Sequence, residues 1–459
     1  MSDNTPAGAA PQLSRRRFVQ GSLMATVLGG TALGTSACAA SVNGGGSAGG
    51  GGGSKTTLTV MSHDNELDKK TIQAAEKALG LTIRFVQSDD IKLNAMLAAK
   101  NPPDLVRGLG AVDAPYFAAR ELMTDLDPYF AKSTVLKVSD LDPVNDLWCF
   151  DGHRQGAGPR YGMAKDYSQD QMFWYRTDLF DAAKLDHPSD TEPLSYDEWL
   201  DLGRKLVKRR LGKVKVYGLS ATALGNFSPL MGMTASAGGS LFAEDLASVD
   251  FSSPEALKAL KWLLEYTKAD MGPNVVNPNP DGWDWPTYQA NRMAVAGDGY
   301  WFGGAIGGDP KVSAVSRFAP APQFGGTRVS TSFTATGYWI PKGAKNKDAA
   351  WKFFEWYFGG QPAKDRATSG WGIPTLKSLR SQMPQSTAFQ KQAFQVQQRE
   401  LEHFKVLTFT PYVQLAALDA VLSQTLPQMV KSGTPAGKVA DRLNSLMNDQ
   451  IAKGKQALG

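Results

Sequence analysis

The sequence predicts an α/β protein with a parallel sheet in its first half and a body that divides into two lobes. Three observations carry this. Residues 56–106 alternate short apolar runs with helical periodicity, and a strand–helix–strand–helix–strand order builds a parallel sheet with right-handed crossovers. The chain has 459 residues, enough for roughly two to three domains or one large two-lobed fold. Its residues are 42% hydrophobic and 20% charged, so it can bury a sizeable core and wholesale disorder is excluded.

Taken in order, Thr56–Met61 reads as a strand, and Leu67–Leu79 has helical spacing closed by Gly80. Leu81–Val86 is a second strand and Ile91–Lys100 a second helix, ended by Asn101-Pro102-Pro103. Asp104-Leu105-Val106 is a short buried strand. Ligands meet such sheets at the carboxyl ends of the strands, here His63-Asp64-Asn65 and the stretch Gly108–Pro115, with Arg107 beside it. A new section opens at Met172–Tyr175. Ser195 and Glu198 form a capping box for a helix running to Arg210, followed by a strand over Val214–Leu219. Ser253-Pro254-Glu255 starts another helix. Asp348–Phe358 is an aromatic-rich helix whose Trp351, Phe353, Phe354, Trp356 and Tyr357 form a packing stripe, and two more helices lie near 413–430 and 435–452.

The first 54 residues speak to location. Arg15, Arg16 and Arg17 against Asp3 put +2 of the net charge of +5 in residues 1–37, ahead of a Gly/Thr-diluted apolar stretch. The run Ser14-Arg15-Arg16-Arg17-Phe18-Val19-Gln20 resembles a twin-arginine export signal, and Thr35-Ser36-Ala37-Cys38 resembles a lipobox with Thr in place of the usual Leu. The resemblance implies cleavage before Cys38 and its acylation. A membrane-spanning anchor and an ordinary cleaved signal are the alternatives. Residues 39–54 are Gly/Ser-rich and have nothing to bury. A flexible tether over 38–54 reaches ~23 Å. The expected arrangement is a domain tethered by lipid at the outer face of the cytoplasmic membrane.

Composition excludes several classes. The body beyond residue 37 is too balanced in charge for a nucleic-acid binder, which needs a concentrated basic face. Two cysteines exclude a disulfide framework, and histidines at 63, 153, 187 and 403 form no spaced zinc cluster. No cofactor or metal is expected. Cys149, in the apolar run Leu147–Phe150, reads as a buried inert thiol. No nucleophile elbow, P-loop or HExxH is present. What is abundant is aromatic, with 11 Trp, 13 Tyr and 21 Phe.

Six segments in order then resemble the extracellular solute-binding proteins of ABC importers, the sugar-binding group that includes maltose-binding protein. They are Leu58-Thr59-Val60, Pro103–Val106, Tyr175–Phe180, Leu194–Leu200, Asn291–Val295 with Gly299-Tyr300-Trp301, and Thr336–Lys342 followed by Asn346–Phe353 and Gly372-Ile373-Pro374. Arg176 replaces the Asn of the family's pattern. The resemblance covers 55–459 and implies a hinged two-lobed periplasmic-binding-protein fold with a ligand cleft between lobes. Lobe 1 is expected over 55–165 plus about 315–365, and lobe 2 over about 172–310 plus 375–459. The crossings are expected near 166–172, 310–316 and 366–374. It further implies a monomer that captures a sugar or oligosaccharide and delivers it to the membrane permease.

A sugar site needs aromatic plates for C–H faces and planar polar side chains for hydroxyl pairs. The candidate aromatic contacts are Trp283 and Trp285 in a polar stretch, Trp301 of the Gly-x-Trp motif, Trp371 at a crossing, Tyr167, and Tyr338 with the backbone of Gly337. The candidate polar contacts are Asp64, Asn65, Asp166, Asn226 and Asp298. Each has a bland alternative. The tryptophans and tyrosines are alternatively core packing, and Asp64 and Asn65 alternatively cap the helix that follows. Asp298 lies in a Gly-rich stretch, 297–308, read as a loop. The functional alternatives are a binding protein of the same fold for a non-sugar solute, a surface adhesin, and a lipid-anchored glycoside hydrolase built on two facing carboxylates.

Overall fold

The computed structural model describes residues 55–459, so the expected signal, Cys38 and the tether lie outside the described residues. Strand β1 (Thr57–Ser62) is followed by helix α1 (Lys69–Leu79), β2 (Thr82–Gln87), α2 (Asp90–Ala98), β3 (Leu105–Leu109) and α3 (Gly110–Ala119). Asp68 starts α1 by accepting from the Thr71 N–H at 2.7 Å, and Gly80 ends it at φ +66. Asp64 and Asn65 are therefore not the cap; they sit exposed in the turn between. Parallel pairing places β1 between β2 and β3, from Thr57 opposite Thr82 to Met61 opposite Val106. Helix α3 follows β3 directly, so Arg107 lies in the strand and Asp113 in the helix rather than on a loop.

The sheet is completed by two strands from farther along the chain. Thr336–Trp339 runs antiparallel to β3, and Gly162–Ala164 lies antiparallel at its outer side. The mixed sheet arises because Thr336–Trp339 is not the product of a βαβ crossover, the step that enforces parallel order. Gly337 sits where a Cβ would lie 1.8 Å from the Met163 carbonyl oxygen. One face of this sheet buries Leu58, Val60, Leu105 and Tyr338 against Trp351, Phe353, Phe354 and Tyr357 of helix Lys347–Gly359. The other buries Met61, Val106, Phe117, Trp148 and Trp339 in a core continuous with that of the second half.

The second half centres on a three-stranded antiparallel sheet, Val295–Ala296, Trp174–Arg176 and Ser316–Phe318. The capping box is present, with Ser195 and Glu198 opening helix Tyr196–Leu206. That helix stops four residues before Arg210, because Lys208–Arg210 turns through Leu211-Gly212 to pair with Lys213–Val216. Helices Pro254–Ala269, Leu415–Lys431 and Ala436–Gln456 fall close to their predicted spans. The Gly-rich stretch is helical over Tyr300–Gly307 rather than a loop.

Strand pairing describes the chain near 315 and 375. Ser316–Phe318 pairs with Trp174–Arg176, and Ser330–Ser332 pairs with Phe404–Val406. The stretch expected to rejoin the first sheet near 315 does so only at Thr336. Likewise 375 does not begin the return to the second half, since Ser378 donates to Asp140 and Arg380 to Asp142. The return comes with helix Ala388–Leu401, where the Gln392 side chain brackets Phe318, accepting from its N–H at 3.0 Å and donating to its carbonyl at 2.7 Å. Among the described residues no helix is long and apolar enough to cross a membrane.

Candidate functional site

The carboxyl ends of β1 and β3 lie side by side, so residues leaving them share one edge of the sheet. Glu66 and Arg107 meet there at 3.0 Å, and Lys165 approaches Glu66 at 4.0 Å and Asp166 at 2.6 Å. Two acids and two bases, with side chains 9–18% exposed, thus form one charge-balanced cluster. Burial raises the pKa of Glu66, but the adjacent Arg107 and Lys165 outweigh it and hold the carboxyl at about 2. Burial lifts Asp166, and Lys165 opposes the lift. Lys165, Asp166, Arg366, Trp371 and Gly372 line a common pocket.

An aromatic wall adjoins it. Trp301 stacks on Trp371 with ring centroids 6.3 Å apart and planes at 17°. Trp301 also meets Phe302 edge-on at 5.6 Å, and Phe302 meets Trp285 at 5.9 Å. Trp371 lies flat across Gly304, where a Cβ would be 2.5 Å from the ring. A guest held between two rings needs two van der Waals gaps, about 7–8 Å in all. The 6.3 Å spacing leaves no such slot, so the pair is one wall and not two opposed plates. Both rings keep partial exposure.

The strands beside the cluster are tied together. Asp166–Tyr167 pairs antiparallel with Ile373–Pro374, joining two of the expected crossings. Tyr167 is buried, accepts from Arg380 at 2.6 Å and packs on Phe404. Asp170 accepts from the backbone N–H groups of Phe333 at 2.9 Å and Thr334 at 3.2 Å, which ties it to the segment leading into Thr336–Trp339. On the far side Arg120 donates to the carbonyls of Pro411 at 2.8 Å and Tyr412 at 3.1 Å, and Asn94 to Gln414 at 2.9 Å.

Of the predicted contacts, Asp166, Trp285, Trp301 and Trp371 come together, with Asp64 and Asn65 on the turn leading into Glu66. Tyr338 does not join them: it is 0% exposed, shares a 2.5 Å hydrogen bond with Ser62 and packs edge-on to Tyr357. Gly337 is likewise interior to the sheet, and Tyr167 belongs to the strand tie. Asp298 is buried near a second buried carboxyl, Asp284. Burial first, and then Asp284, push the pKa of Asp298 well above the ordinary carboxylate range. Asn226 stands apart; its N–H donates to Asp419 at 2.8 Å. Trp283 is exposed at the head of helix Asp284–Gln289. Sequence reasoning misses Glu66, Lys165 and Arg366; the adjacency of β1 and β3 is the one signal for pairing Glu66 with Arg107. Cys149 is the expected inert thiol, buried and with its pKa raised to about 11 by that burial.

The sequence profile described as bacterial extracellular solute-binding protein matches residues 62–361, more than half of the chain. The chain belongs to this family. It is an ABC-transporter solute-binding protein, of a family that binds and does not catalyse. A search of curated protein sequences finds no match. Among solved structures, the chain resembles an ABC substrate-binding protein from Listeria monocytogenes in complex with cycloalternan. The two share 19% identity and a TM-score of 0.71 over 88% of this chain and 99% of that one. A solute-binding protein from Thermotoga lettingae bound with alpha-D-tagatose gives 21% and 0.72 over 87% and 100%. The sugar-binding protein MalE from Xanthomonas citri gives 18% and 0.65 over 88% and 99%. At these identities the likeness establishes the solute-binding-protein fold.

One titration near the site has a measurable sign. Asp113 accepts from the Leu109 N–H at 2.6 Å, and burial raises its carboxyl to about 7. A folded-state pKa above the unfolded one means the native state holds the proton more tightly. The contribution of Asp113 to stability is therefore complete below about pH 4 and falls as pH rises toward 7. The expected loss is about 2 kcal/mol, discounted for the solvent the carboxyl still meets. Urea unfolding of Asp113→Asn at pH 4 and 7 should show a smaller drop than the parent; an equal drop assigns the effect elsewhere.

Proposed function

We propose that this solute-binding protein captures a neutral sugar or polyol in a cleft between two lobes and delivers it to an ABC permease. The observation that carries the reading is the Trp301–Trp371 wall beside the charge-balanced cluster Glu66, Arg107, Lys165 and Asp166. A sugar's C–H face would stack on the exposed side of the wall while its hydroxyls reach Asp166, Lys165, Asp64 and Asn65. Balanced charge favours a guest without net charge. The cycloalternan and tagatose carried by similar folds agree with that chemistry.

The two lobes are read as 55–165 with 336–382, and 172–332 with 388–459. The paired strands at 166–167 and 373–374 form the hinge. A ligand touching both lobes only when they are closed shifts the population toward closure. Export by a twin-arginine signal, acylation at Cys38 and work as a monomer at the outer face of the cytoplasmic membrane complete the reading. Thermal-shift measurement against sugars, polyols, amino acids and polyamines tests it. A ligand at 100 times its Kd adds about 2.7 kcal/mol to the native state. A shift with amino acids or polyamines and none with sugars or polyols would replace the sugar reading while keeping the family.

A further inference from the structure

We propose that the hairpin Lys208–Val216 is a docking element for anionic phospholipid headgroups, independent of the ligand site. Lys205, Lys208, Arg209, Arg210, Lys213 and Lys215 place six cations in eleven residues. All six are exposed. Arg209 is held to the end of helix Pro254–Ala269, donating to the Ala269 and Asp270 carbonyls at 3.0 and 2.6 Å and facing the Asp270 carboxylate at 3.4 Å. None of the other five has a carboxylate within salt-bridge distance among the described residues. The nearby acids Asp201 and Glu265 are engaged by Arg204. The two strands pair only with each other, so the ribbon is fixed at its base and free along both edges.

The tip supplies the second observation. Arg210 pairs with Lys213, which leaves a two-residue turn, and both of its residues have positive φ, +52 for Leu211 and +73 for Gly212. Such a turn favours Asn or Gly at its first position, and Leu there is conformationally unfavourable. Leu211 is nevertheless 95% exposed, the most exposed large apolar side chain among the described residues. Folding gains nothing from it. An apolar tip flanked by cations is what a bilayer interface accepts, with headgroup phosphates meeting the bases and the acyl boundary meeting the leucine.

Residues 54–459 form a compact unit without Cys38 or the apolar segment before it, so that unit can be mixed with vesicles. Co-sedimentation with phosphatidylglycerol/phosphatidylcholine vesicles should exceed that with phosphatidylcholine alone at least tenfold at about 0.05 M salt and vanish near 0.5 M. The triple charge reversal Lys208→Glu/Arg210→Glu/Lys213→Glu should remove most of it. Leu211→Asn should cut it several-fold while holding or raising Tm, since Asn suits the turn. Should the charge reversal fail to fold, Leu211→Trp provides the readout, the emission of the introduced indole shifting to the blue with anionic vesicles. Equal partition to neutral vesicles, binding unchanged by charge reversal, or an indole emission at the tip indifferent to lipid overturns the proposal.

Discussion

Trp301→Ala is expected to weaken ligand binding roughly 30- to 100-fold, the ~2–3 kcal/mol of a well-packed aromatic anchor. The unliganded protein should stay folded, because the indole is only partly buried and its neighbours Phe302 and Trp371 pack on other partners as well. Calorimetry with whichever sugar or polyol stabilises the parent measures the affinity, and Tm of the free protein measures the fold. Trp371→Ala should act similarly. Because the two rings touch, the double variant should lose less than the sum of the singles. An unchanged affinity would remove the wall from the site, and collapse of the free protein would make Trp301 a core residue.

Glu66→Ala is expected to destabilise the protein by ~3–5 kcal/mol, since it leaves the buried Arg107 without its acid partner, while Lys165 keeps Asp166. Urea unfolding at pH 7 reads this directly. Lowering the pH reproduces part of it in the parent. The depressed pKa of Glu66 contributes stability that is complete above the ordinary carboxylate range and lost as pH falls toward about 2. Glu66→Leu combined with Arg107→Met should recover much of the loss, because removing both partners leaves less uncompensated charge. If Glu66→Ala unfolds at the same urea concentration as the parent, the cluster is solvated and its pairing does not matter to the fold.

Much of the element order is legible because its signals are local. Capping by Ser195, the stop at Gly80 and the apolar runs of β1 to β3 depend on neighbours a few residues away. The resemblance carries the family, and it draws Trp301 and Trp371 into view. Their stacking is not legible, because it depends on Gly304 admitting one ring beside the other. Tyr338 departs from expectation for a related reason. Its place in the motif suggests a cleft, but the strand carrying it is flanked on both sides, which turns the phenol into the core.

The partners of the short strands are not legible either. Ser316–Phe318 and Ser330–Ser332 look like any short strands in sequence, and only their partners, Trp174–Arg176 and Phe404–Val406, decide which sheet they serve. By itself the sequence determined much of the strand and helix order, written in local spacing, and through the resemblance of six segments the solute-binding family; it also offered aromatic candidates for the site. The tertiary structure alone decided that Glu66 faces Arg107 and Lys165, that two tryptophans make one wall, and where the chain passes between sheets. Those depend on contacts between distant segments, which no local pattern encodes.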